Sequence, residues 1–250
     1  METTLINWSP LWISLQTAVT TIIIVFFLGT LTAWWVLQQK SETVKILADG
    51  IFTLPLVLPP TVVGFLLLYL LGSNRLVGRF FVEQFGLQIA FTWLATVITA
   101  TVVSFPLMYK SAKAALEQID PGLWLAGRSL GMTDWMIFWR VILPNALPGL
   151  VAGGVLAFAR ALGEFGATAM LAGNILGRTR TLPLAIYSEV AGGDMETAGW
   201  YAAVIIAICF IMIVALNWYL HKCRKREKRH RHFLPRSCEG DPRLGLLLHA

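Results

Sequence analysis

Long apolar runs, separated by short polar stretches, set the pattern of this chain. A membrane span needs roughly 20 apolar residues to cross a hydrocarbon core of about 30 Å. Five segments reach that length: 11–37, 51–71, 89–109, 146–172 and 200–220. No Lys or Arg precedes the first run and it is too long for a signal-peptide core, so a retained span is expected rather than a cleaved leader. The second run carries Pro55, Pro59 and Pro60. Proline removes a backbone donor and clashes with the preceding turn, so this run is expected to be kinked or non-helical over its first turns. Such backbone sits at membrane depth only against protein or a water-filled path.

The stretch 116–144, between the third and fourth runs, has a different rhythm. Asp120 before Pro121 is a good helix cap followed by the residue best tolerated at the first helical position. Leu123, Ala126, Gly127 and Leu130 then recur on one predicted helical face, and Gly131 can close the helix. Thr133 can cap a second helix, with Trp135, Phe138, Trp139 and Ile142 as its stripe and Pro144 as its stop. Two short amphipathic helices around a glycine corner are therefore predicted. Periodicity alone also fits a pair of helices lying along the membrane surface.

Charge orients the spans. Alternate loops hold Lys40 and Lys45, then Lys110, Lys113, Arg128 and Arg140, then a basic tail. The other set holds nothing ahead of the first span, then Arg75 and Arg79, then Arg178 and Arg180. The more basic set faces the cytoplasm. This predicts an external N-terminus, a cytoplasmic C-terminus and a cytoplasmic elbow. Residues 1–220 form the membrane domain, and 221–250 a basic tail at the inner leaflet expected to lack structure.

Composition agrees with a membrane protein. The 250 residues are 56% apolar and only 14% charged, against about 25% charged in a soluble domain. The net charge of +6 is concentrated at one end, since nine of the 20 Lys and Arg follow His221. That distribution argues against a nucleic-acid surface. Cys209, Cys223 and Cys238 show neither metal nor disulfide spacing and are expected as free thiols. No G-x-x-x-x-G-K-[ST], H-E-x-x-H or G-x-S-x-G pattern occurs, and every histidine lies at or after His221. An ATPase site in this chain, intramembrane hydrolysis and metal chemistry are thus disfavoured. No inverted repeat of the kind common in secondary transporters is visible.

The stretch Leu125 to Pro144, LAGRSLGMTDWMIFWRVILP, resembles the ATPase-docking signature of ABC importer permeases. That signature reads Glu-Ala-Ala, three residues, Gly, nine residues, a branched aliphatic, one residue, Leu-Pro. Ala126, Gly131, Val141, Leu143 and Pro144 fill their positions with the spacing kept. Leu125 stands where Glu is usual, and Gly127 where the second Ala is usual. The resemblance spans roughly residues 10–220. Arg160-Ala-Leu-Gly-Glu-Phe-Gly166 with Ala172-Gly-Asn174 is similar to the molybdate and sulfate branch. GRTRTLPLAIY, LPLVLPPTVVGFLLLYLLG, FTWLATVI and FPLMYKSAKAALEQIDP are closer to molybdate permeases.

The resemblance implies an all-α polytopic fold of the type I ABC importer permease class, with about five spans and a cytoplasmic coupling helix. It also implies a homodimer bound to two cytoplasmic ATPase subunits and served by an external molybdate-binding protein. ATP and Mg would sit on the ATPase, with no cofactor in this chain. The ATPase-coupling residues implied are Leu125, Ala126, Gly127, Gly131, Val141, Leu143 and Pro144. A sulfate, thiosulfate or tungstate permease of the same family is the alternative. Arg160 and Glu164 are read from the residues: at i, i+4 in an apolar span they share a predicted face. Either they form an ion pair that orders the span, or they lie beside the translocation path. There Arg160 would attract an anion and Glu164 would keep its binding weak.

Overall fold

The first apolar run forms helix α1, Ser9–Leu37. The computed structural model describes residues 7–231, so residues 1–6 and the stretch 232–250, with Cys238, lie outside the described residues. Every regular element among the described residues is helical.

The second run does not begin at 51. Helix α2, Glu42–Val57, starts in polar sequence with Glu42 in its first turn, where an acid suits the positive end of the helix. The chain breaks at Leu58–Pro59 and resumes as α3, Pro60–Leu71, bent 109° from α2. The prolines act at this break rather than over the opening turns: Pro60 starts α3, whereas Pro55 is carried inside α2. A short amphipathic helix, α4, Leu76–Phe85, follows and ends on Gly86 in the left-handed region. Its Phe80 and Phe85 are exposed, which suits a helix at a membrane interface.

The third span is shifted from 89–109 to α5, Trp93–Glu117. Residues 89–92 are held out of the helix: Phe91 has φ +62 and its N–H bonds the Leu171 carbonyl at 3.0 Å. At the other end, Lys110 and Lys113 lie within α5 and not in a loop, and Lys113 pairs with Asp49 on α2.

The elbow comprises α6, Pro121–Ser129, and α7, Asp134–Ile137. From α7 the chain passes through a π-helical turn, Phe138–Ile142, into α8, Leu143–Leu162. The expected stop at Pro144 is absent. The wider turn, with Leu143 N–H bonding the Phe138 carbonyl, absorbs the proline in the first turn of α8. The fourth span therefore starts well before 146. It ends at Leu162, breaks over Gly163–Phe165, and resumes as α9, Gly166–Leu171. Helices α10, Leu182–Gly192, and α11, Met195–Arg231, complete the described chain. The last span thus exceeds 200–220, and the first part of the tail, 221–231, is helical rather than unstructured.

Among the described residues, four helices are long and apolar enough to cross a membrane, and α2 with α3 makes a fifth if counted as one broken span. The main core lies where α1, α5, the elbow and α8 meet, around Val25, Val36, Met108, Tyr109, Phe138, Ile142 and Leu150. Polar pins join helices where no water competes. Thr17 and Thr96 hydroxyls are 3.0 Å apart, as are those of Thr99 and Thr168, and Ser14 Oγ accepts from the Leu182 N–H at 2.7 Å.

Candidate functional site

The elbow is built by local capping. Asp120 accepts from the Gly122 N–H at 2.8 Å and starts α6. At the far end Gly131 has φ +74, a conformation that costs other L-residues energy. Its N–H bonds the Arg128 carbonyl at 2.9 Å, and the Met132 N–H bonds the Gly127 carbonyl at 3.1 Å. These two bonds make the Schellman closure. Thr133 Oγ1 then accepts from the Met136 N–H and starts α7. The corner is stapled by Arg128, whose Nε and Nη2 donate to the two Asp134 carboxylate oxygens at 2.9 and 3.2 Å. That carboxylate raises the Arg128 pKa further above its ordinary value.

The inward faces differ from the predicted stripes. On α6, Leu123, Trp124 and Gly127 turn towards the core, while Ala126 and Leu130 are exposed. On the second arm Ile137, Phe138 and Ile142 are buried and Val141 is half-buried, while Trp135 and Trp139 remain exposed. The π turn shifts the register by one residue, which the regular helical period could not register. Gly127 is a glycine for a steric reason: a β-carbon there would come 2.7 Å from Ile137 Cγ1. The arm is tied to α1 by Trp34, whose ring lies 4.6 Å from that of Phe138 and 5.7 Å from that of Trp135. The outward surface carries Leu125 (65% exposed), Leu130 (80%) and Trp135 (55%), an apolar patch suited to a protein partner. Of the signature residues, Leu143 is half-buried and Pro144 exposed at the start of α8.

Arg160 and Glu164 do come together, but not as neighbours within one helix. Arg160 is in the last turn of α8, and Glu164 sits in the break beyond it. Their closest approach is 2.7 Å, from Nη1 to Oε2. Oε2 is met by this ion pair rather than by a well-aligned hydrogen bond. The other oxygen, Oε1, accepts from the Ala167 N–H at 2.9 Å and so caps the opening turn of α9. Glu164 is 2% exposed and the Arg160 side chain 30% exposed. The second break lies beside the first: a β-carbon on Gly166 would come 3.1 Å from Pro60, and one on Gly64 would come 2.7 Å from the Ala167 backbone.

Arg128–Asp134, Trp34 and the Asp49–Lys113 pair escaped the reading of the sequence. Their partners are separated by a corner or by whole helices, at spacings with no helical signature.

The fold is that of type I ABC importer permeases. A solved structure of the MetNI methionine ABC transporter superposes with a TM-score of 0.69 at 18% identity, covering 89% of this chain and 99% of that one. The chain belongs to the family described as binding-protein-dependent transport system inner membrane component, whose profile matches residues 25–225. The molybdenum transport system permease protein ModB of Haemophilus influenzae is 39% identical over 228 residues, covering 90% of this chain and 96% of that protein. The sulfate transport system permease protein CysW of Synechocystis is 36% identical over 192 residues, covering 77% and 69%. Family membership makes this a multi-pass inner-membrane component of an importer that works with an ATPase subunit and a binding protein.

Proposed function

We propose that this chain is the membrane-spanning subunit of an ATP-driven importer that carries molybdate into the cytoplasm. The observation that carries the choice of anion is the 39% identity to a molybdenum permease across 90% of this chain and 96% of that one. The sulfate reading rests on a relative matched over only 69% of its own length, and is the weaker.

In this reading two copies of the chain form the pathway on two ATPase subunits, which hold ATP and Mg and hydrolyse the nucleotide. An external molybdate-binding protein delivers the anion. The N-terminus lies outside and the C-terminus inside, supported by the charge bias of the loops. The elbow then faces the cytoplasm and offers Leu125, Ala126, Leu130 and Trp135 to the ATPase. Gly127, Gly131 and Val141 keep its shape, and Leu143 and Pro144 join it to α8. Because α7 runs into α8 without a stop, a push on the elbow is delivered along the span. That push ends at the Gly163–Phe165 break, beside Arg160 and Glu164. A guanidinium 30% exposed at this depth suits attraction of an oxyanion. Its pairing with Glu164 keeps that attraction weak enough for release.

The test is uptake into proteoliposomes holding this chain, its ATPase and its binding protein. Molybdate uptake that requires ATP, is competed by tungstate and resists excess sulfate supports the reading. Uptake without ATP, or competition by sulfate equal to that by molybdate, overturns it.

A further inference from the structure

Helix α2 is attached to the rest of the protein by few side chains. Of its residues, only Ala48 is buried. Two side chains one turn apart hold it to α5. Phe52 sets its ring 5.2 Å from Tyr109 and 5.7 Å from Phe105. Asp49 takes a hydrogen bond from the Tyr109 hydroxyl on one oxygen and pairs with Lys113 on the other. Beside this cluster lies an open cavity of about 440 Å³, lined by Asp49, Thr53, Tyr109, Lys110, Lys113 and Glu117.

Three features make this attachment suited to opening. Its Asp49 half is polar and beside an open cavity, so water can replace those bonds when it parts. Lys113 has a second carboxylate in reach, Glu117 on its own helix at 3.9 Å, ready to receive it when Asp49 leaves. The far end of α2 is the Leu58–Pro59 break, where both residues are extended and neither Pro59 nor Pro60 has an N–H to bond back across the joint into α2. By contrast α3 is anchored, with Gly64 pressed against the Ala167 backbone.

We infer that Asp49 is a positioning residue: with Lys113 and Tyr109 it forms a catch that holds α2 against α5, and α2 swings on the Leu58–Pro59 break during each transport cycle. The inference rests on the import reading above. A permanent brace would instead keep α2 and α5 together throughout.

Thr53 and Ala114 line the same cavity; the Thr53 hydroxyl donates to the Asp49 backbone carbonyl within α2, at 2.6 Å, and not to the carboxylate that forms the catch. In a complex with Cys209, Cys223 and Cys238 changed to serine, Thr53→Cys and Ala114→Cys are bridged with a reducible bis-methanethiosulfonate. Bridging is expected in the resting complex and lost in the vanadate-trapped one; equal bridging in both overturns the catch. The bridge is expected to stop uptake and reduction to restore it; uptake unchanged by the bridge also overturns it. Asp49→Lys should lower bridging at rest, and Asp49→Lys with Lys113→Asp should restore it; a swap that restores nothing counts against the pair. If the wild-type complex moves no molybdate, the import reading fails, while the two bridging yields still report on the catch.

Discussion

Ile137 fills the space that a side chain on Gly127 would need, its Cγ1 lying 2.7 Å from where the β-carbon would stand. The two arms of the elbow are therefore in contact at backbone distance. The glycine that departs from the importer signature is matched by a large residue ten positions on.

Gly127→Ala should destabilise the purified protein, because overpacking a tight contact costs about 1–3 kcal/mol. Adding Ile137→Ala should relieve the clash while leaving a cavity cost of its own. The expected sign is a melting temperature lowered in the single Gly127 variant and less sensitive to that change once Ile137 is cut back. A Gly127→Ala protein as stable as wild type would show that the arms move apart freely.

Gly131→Pro should leave the protein inserted but uncouple ATP hydrolysis from uptake. Proline cannot adopt φ +74 and lacks the N–H that bonds Arg128. Gly131→Asn, better able to take the left-handed conformation, should retain most coupling. The measurement is the ratio of molybdate taken up to ATP hydrolysed in vesicles; normal coupling in the proline variant contradicts a rigid corner.

Arg160→Leu should lower the yield of assembled complex by leaving Glu164 buried without its counter-charge. Pairing it with Glu164→Gln should restore yield, because the amide oxygen can still accept from Ala167 N–H. Pairing it with Glu164→Leu should restore less, since the cap of α9 is worth roughly 0.5–2 kcal/mol. Neither double variant should recover uptake if the pair lies on the path. Recovery of both yield and uptake leaves only a structural role.

Asp194 links stability to pH at the start of α11. Hydrogen bonding from the Thr197 backbone N–H, at 3.0 Å, holds its carboxyl below the ordinary carboxylate range. A depressed pKa means the stabilisation is complete above the unfolded value of 3.8 and is lost as pH falls through the lower folded value. Asp194→Asn should thus differ from wild type in local amide exchange near neutrality and converge with it in strong acid. A difference that stays constant across that range would remove the charged cap as its cause.

The legible parts of this structure are the ones written in neighbouring residues. Asp120 with Pro121 and Gly131 with Thr133 give the elbow its ends and its corner, because caps need only partners within a turn. Hydropathy located the apolar runs but misplaced their ends. It cannot see that Glu42–Asp49 is helical, since Asp49 finds its partner on α5. It reads straight across Gly163, since the run stays apolar on either side of the break. The register slip at Phe138–Ile142 is invisible for another reason: a π turn changes which face is buried without changing composition. The i, i+4 spacing points to Glu164 as the partner of Arg160, but its second bond, to the Ala167 backbone amide, has no side-chain signature.

If the elbow docks an ATPase as proposed, the leucine at position 125 bears on fidelity among subunits. It is exposed on the outward face of α6, at the position where the docking signature that this stretch resembles has a glutamate. An ATPase shaped for such a glutamate would bring a basic or donor group to this point and bury it against hydrocarbon without an acceptor. In a cell that runs several importers of one architecture, this permease would discourage borrowed motors by withholding a bond, and its own ATPase would be recognisable by an apolar surface at the matching position.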